Sequence, residues 1–185
     1  MTFLQRARLM FLIFLNGYVS LSLELVVLRY LGFYVGSSAV VTSIIMGVFL
    51  GFMSLGYWLG NGRFVRNGQI PRVVGASFLI ISALILVAAS FPLISEYFVW
   101  LYRAGITSRV AQTFVFSGVL LSVGPFLFGF NTTLLSRMMD GGDKNHTGQV
   151  MAMDTIGSVL GSMMTTLVLM PLIGVNNSVF VICAA

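Results

Sequence analysis

Three charged residues interrupt long apolar runs in this chain, and they are its candidates for chemistry. Glu24 and Arg29 lie in Ser20-Leu-Ser-Leu-Glu-Leu-Val-Val-Leu-Arg-Tyr-Leu-Gly32, and Asp154 lies in Met151-Ala-Met-Asp-Thr-Ile-Gly-Ser-Val-Leu-Gly161. An ionised side chain at bilayer depth costs at least ~2.5–3.5 kcal/mol, so one that is retained there marks a functional site by default. The chemistry open to Glu24 is binding a cation or carrying a proton. The competing role is a hydrogen-bonded tie between helices. Glu24 and Arg29 are about 140° apart round a helix axis, too far for a tight ion pair. Arg29 can instead snorkel to the outer interface. Asp154 falls about one turn into its run, where an acid also suits the helix dipole. In a functional role it is the inner counterpart of Glu24 on a path for cations.

Other constellations point away from chemistry. Asp140, Asp143 and His146 are evenly spaced, but Gly141, Gly142, Lys144 and Asn145 among them read as a solvated loop rather than a metal site. Asn145-His-Thr147 fits a glycosylation acceptor on what is predicted to be the cytoplasmic side. Gly60-Asn-Gly62 lacks the strand and third glycine of a dinucleotide loop. The single His and single Cys, His146 and Cys183, sit in unrelated segments, so no nucleophile–base set can be assembled. No metal and no cofactor is expected in this stretch.

The elements that must position these residues follow from composition. The chain of 185 residues is 58% hydrophobic and 8% charged, against ~25% charged in a soluble domain. It reads as an all-α integral membrane protein. Arg6 and Arg8 before an apolar core imitate a signal peptide, but the run continues past Ser22, which favours an uncleaved first helix. The net charge of +5 lies between the apolar runs, a pattern of membrane orientation and not of nucleic-acid binding.

Six segments are expected, over residues 9–32, 39–59, 73–94, 110–135, 149–173 and 177–185, the last incomplete. Residues 95–109 form an amphipathic connector with Tyr97, Phe98, Trp100 and Tyr102 suited to the headgroup level. Pro92 falls near the end of the third segment, and Pro125 should kink the fourth. Seven Lys/Arg residues fall on the N-terminal side (Arg6, Arg8, Arg63, Arg66, Arg72, Arg137, Lys144) against Arg103 and Arg109 on the other. That bias puts the N-terminus in the cytoplasm of a cell with this chain in its inner membrane. Because the sixth segment stops short of a span, the residues 1–185 are expected to be the membrane domain of a longer polypeptide.

Gly47 and Gly51 in the second segment, and Gly157 and Gly161 in the fifth, are spaced for close helix packing. Their likeness suggests a 3+3 repeat resembling half of a major-facilitator transporter, which would work as a homodimer.

Ser22-Leu-Glu24 with Arg29, then Gly36-Ser-Ser38, then Gly47-xxx-Gly51-xxxx-Gly56, resembles the start of membrane-embedded spermidine synthase-like proteins. Asp154-Thr-Ile-Gly157-Ser-Val-Leu-Gly161, followed by Leu169-Met-Pro171-Leu-Ile-Gly174, is similar to their later membrane signature. The resemblance implies a soluble aminopropyltransferase domain after residue 185. That domain would move an aminopropyl group from decarboxylated S-adenosylmethionine, its co-substrate, to putrescine. It further implies that Glu24 and Asp154 attract a polyamine, a multiply charged cation, at low dielectric. A stand-alone cation transporter and a non-transporting structural subunit are the alternatives.

Overall fold

The computed structural model describes residues 3–184 apart from 37, 63, 64, 66, 89, 90, 107, 121 and 140–145. Among the described residues the chain is helical and contains no strand. The first helix, α1 (Phe3–Tyr34), runs almost without interruption through the first expected segment. Gly36, at a φ of 89° that favours glycine, turns the chain, and the Ser38 hydroxyl caps α2 (Ala39–Gly60) by accepting from the Val41 amide at 3.2 Å.

After a short 3₁₀ turn comes α3 (Ile70–Ala88), shorter than the expected third segment. Pro92 does not end that segment. It stands in the first turn of a separate helix, α4 (Phe91–Arg103), where its missing N–H is not needed. The expected fourth segment is likewise two helices, α5 (Arg109–Leu120) and α6 (Val123–Met139), bent by 43°. The bend falls within one turn before Pro125, so the kink expected in the fourth segment is present there, with Pro125 in the first turn of the helix that follows it.

The fifth segment is α7 (Thr147–Met164), carried on by a π turn over Thr165–Leu169. There the Met170 amide reaches back to the Thr165 carbonyl. The widened turn sits just before Pro171, whose ring would clash with a regular turn. The last helix, α8 (Met170–Ala184), breaks at Gly174 (φ 79°, ψ 167°).

Three stretches are long and apolar enough to cross a membrane, namely Phe3–Tyr34, Ala39–Gly60 and Thr147–Val175, and the bent α5–α6 pair adds a fourth if it counts as one span. Their surroundings differ. Of the most apolar window of α1, 56% is buried, against 22% for α2 and 17% for Thr147–Val175. Thus α1 is the most buried of the three, packed against α7, α6 and α8 and touching α2. Large apolar side chains such as Leu50, Trp58, Leu79, Leu167 and Leu172 face outward, as they would against lipid.

Two parallel helix pairs form the scaffold, α1 with α7 and α2 with α6. Both are glycine contacts of the kind that lets backbones touch. A Cβ on Gly17 would run into the Asp154 carbonyl, one on Gly157 into that of Phe14, and one on Gly161 into that of Tyr18. In the second pair Gly129 meets Met53, Gly56 meets Phe126 and Gly60 meets Phe130. The spacing Met53, Gly56, Gly60 on α2 repeats Asp154, Gly157, Gly161 on α7. Phe126, Gly129, Phe130 on α6 repeats Phe14, Gly17, Tyr18 on α1. The matching stretch of α2 is therefore Gly56–Gly60, nine residues and so about two and a half turns beyond the expected Gly47–Gly51. Gly47 and Gly51 are exposed, and nothing described lies within 4 Å of a Cβ at either.

Two further contacts fix the ends. The Arg137 guanidinium donates to the carbonyls of Gly60 at 3.2 Å, Gly62 at 3.1 Å and Val65 at 3.0 Å, which pins the α2–α3 loop to α6. At the other end Tyr34 stacks on Phe98 at 4.7 Å, and Phe98 on Phe116 at 5.5 Å, joining α1, α4 and α5. On α4 this leaves Trp100 and Tyr102 exposed.

Candidate functional site

The burial of α1 decides where its polar residues go. Asn16, Ser20 and Glu24 follow one another at four-residue intervals, so they form a ladder up one side of the helix. All three are buried, at 1%, 5% and 7% exposure. At 1.5 Å rise per residue the ladder is ~12 Å long. Leu9, Ile13, Val27 and Leu31 extend the same buried side as apolar packing.

At the N-terminal end of the ladder, Asn16 Nδ2 donates to Thr132 Oγ1 at 2.9 Å and to the Phe128 carbonyl at 3.3 Å, and lies 3.4 Å from Asp154 Oδ1. Thr132 in turn donates to the Phe128 carbonyl at 3.0 Å, the backward hydrogen bond a helical threonine makes. Tyr57 on α2 completes the cluster, against Thr132 and within electrostatic reach of Asp154. Four helices, α1, α2, α6 and α7, thus meet at one polar cluster.

Asp154 is brought here by the glycine contact. Because Gly17 has no side chain, the Asp154 backbone rests on α1 and its carboxylate reaches Asn16, the next residue. Asp154 is seven residues past the start of α7, and the first turn of that helix carries no acid. The dipole reading therefore fails, since that effect fades within the first turn. One turn further along α7, Ser158 donates to the Gly17 carbonyl at 3.2 Å.

At the other end of the ladder stands Glu24. Among the described residues it makes no hydrogen bond and no ion pair. Gly17 and Glu24 are seven residues apart and share a side of α1, so the two acids stand two turns apart along one side of that helix. Arg29 is exposed and lies off this side. Beside this stretch, at the π turn, the fully buried Thr165 donates to the fully buried Ser22 at 2.9 Å.

Asp140, Asp143 and Asn145 lie outside the described residues. His146 precedes α7 and makes no side-chain cap. Among the described residues no group of three His, Cys, Asp or Glu side chains stands close enough to hold a metal.

The structure adds residues that the charge pattern alone did not single out: Asn16, Tyr57, Asn131 and Thr132. Asn131 is fully buried, and neither its Oδ1 nor its Nδ2 has a hydrogen-bond partner among the described residues. The signal was present as Asn16, Asn131 and Thr132 in apolar runs, where amides and hydroxyls seek partners across helices. No protein-family model, no curated protein and no solved structure matches this chain.

Proposed function

We propose that this chain is a membrane-embedded domain that binds a small organic cation of the polyamine class and passes it along α1. The observation that carries the reading is the buried ladder Asn16–Ser20–Glu24, with a carboxylate that has no partner among the described residues at one end and Asp154 at the other. Carboxylates sheltered from water attract cations far more strongly than exposed ones. The apolar exterior supports a bilayer setting. The matching glycine contacts of α1–α7 and α2–α6 support a 3+3 arrangement of six spans. The excess of Lys and Arg on the N-terminal side supports a cytoplasmic N-terminus at the inner membrane.

The resemblance of the Glu24 and Asp154 stretches to membrane-embedded spermidine synthase-like proteins extends the reading. On it, the chain anchors an aminopropyltransferase that follows residue 185 and uses decarboxylated S-adenosylmethionine, and the ladder receives that enzyme's amine. A second reading, a stand-alone transporter acting as a dimer, is favoured by one observation. The exposed small residues Ser43, Gly47 and Gly51 leave one side of α2 open to a second copy.

Uptake of labelled putrescine and spermidine into vesicles carrying the full-length protein tests the proposal. Wild type should accumulate label above empty vesicles, and Glu24→Gln should lose at least about tenfold in apparent affinity. Folded wild type that neither binds nor moves either amine leaves only an anchor.

A further inference from the structure

Along the first half of α2 a groove lies open to the outside of the bundle. It holds about 660 Å³ and is lined by α2 from Ala39 to Val48 and by Phe114 of α5, a size within the ~300–1,000 Å³ of ligand sites. Among the described residues its only polar side chain is Ser43, whose hydroxyl donates to the Ala39 carbonyl of its own helix at 2.8 Å. Gly47, with nothing described within 4 Å of an added Cβ, deepens the floor. From Ala39 to Val48 the groove runs ~14 Å along the helix axis, close to the ~15 Å depth of one hydrocarbon leaflet.

One end of the groove is positively charged. Arg109 opens α5 and is exposed, and its Nη1 lies 3.8 Å from where a Cβ on Gly36 would stand. The guanidinium therefore sits over the α1–α2 turn, just before the groove begins at Ala39. It makes no hydrogen bond and no ion pair among the described residues. Both α2 and α5 start at this end, so the positive ends of two helices lie beside it. Neither helix contains an acid.

We infer that the groove binds an anionic glycerophospholipid, with one acyl chain along α2 and the headgroup phosphate on Arg109. A guanidinium holds two phosphate oxygens through parallel N–H donors. A headgroup of net negative charge fits, because α2 and α5 offer no carboxylate to a choline or ethanolamine cation. A second copy of the chain fits less well. Two copies inserted the same way round and packed on this groove would repeat each other's charges. That brings two Arg109 side chains to one end, with no acid on either helix to offset them. The inference rests on the bilayer setting proposed above and not on the polyamine.

Native mass spectrometry of the purified full-length protein, stripped of lipid in a neutral detergent and titrated with phosphatidylglycerol or phosphatidylcholine, tests this. One phosphatidylglycerol per chain should bind saturably, at least about tenfold tighter than phosphatidylcholine. Arg109→Gln should remove that preference. Gly47→Leu fills the groove and should weaken both lipids at least about tenfold, whereas Gly75→Leu, at an equally open position on α3, should not. Folded wild type without saturable binding overturns the inference, as does equal affinity for the two lipids, or wild-type binding in both Arg109→Gln and Gly47→Leu. Displacement by an equal concentration of glycerophosphoglycerol, the headgroup without its chains, would also overturn it, since the groove would then be idle. A dimer that binds no lipid and that Gly47→Leu dissociates gives the groove to a second copy instead. Polyamine uptake without lipid binding sinks this site alone, and lipid binding without uptake sinks only the reading of Glu24.

Discussion

The main chain of Asp154 rests directly on the Cα of Gly17, so the absence of one side chain on α1 places a carboxylate on α7 beside Asn16. Packing and chemistry are joined at this contact. The same two helices close again at Gly157 and Gly161, and any change that parts them also moves Asp154 off its partner.

Gly17→Ala and Gly157→Ala should therefore each destabilise the protein by ~1–3 kcal/mol, the usual range for overpacking. Gly47→Ala and Gly51→Ala add a methyl to open surface and should stay within ~0.5 kcal/mol. Unfolding of the purified protein in mixed detergent and denaturing detergent compares the four. Equal losses at Gly17 and Gly47 would contradict the α1–α7 contact.

Glu24→Gln should separate stability from binding. The carboxylate is buried and has no partner among the described residues, so making it neutral removes a desolvated charge. Stability should be unchanged or should rise, by up to ~1–3 kcal/mol, while cation binding falls. Thermal unfolding without added amine is the check. A marked loss of stability would make Glu24 a structural tie.

Arg137 donates to three carbonyls of one loop, so Arg137→Ala should cost ~1.5–3 kcal/mol, the scale of charged hydrogen bonds. Arg137→Lys should recover only part, because an ammonium cannot span the fork. Limited proteolysis within residues 61–69 should accelerate in the order wild type, Lys, Ala. Equal cleavage rates in all three would remove the clamp.

Gly174 holds φ 79° and ψ 167°, a region that only glycine enters readily. Gly174→Ala should cost ~1–3 kcal/mol and shift the segment after Pro171. Gly148→Ala, in the first turn of α7 with nothing within 4 Å of an added Cβ, serves as the control in the same unfolding assay.

Orientation can be read by labelling. In a Cys183→Ser background, Gln69→Cys should resist a membrane-impermeant maleimide in intact cells, and Ala104→Cys should react. The reverse pattern would place the N-terminus outside, against the Lys and Arg bias.

The sequence by itself determined that the chain is helical and apolar, roughly where its helices lie, and that Glu24 and Asp154 are its unusual acids. Those properties are local: hydropathy over twenty residues, turn signals such as Gly36-Ser-Ser38, and a charge in an apolar run need no knowledge of neighbours. Tertiary structure alone decided which glycines touch. Gly47 and Gly56 look alike in sequence, and only the latter has Phe126 across from it. It decided that Pro92 opens a helix, because a proline's effect depends on whether the amide it lacks would have been bonded. And it assembled Asn16, Thr132 and Asp154 into one cluster, since residues more than a hundred positions apart meet only when α1 packs against both α6 and α7.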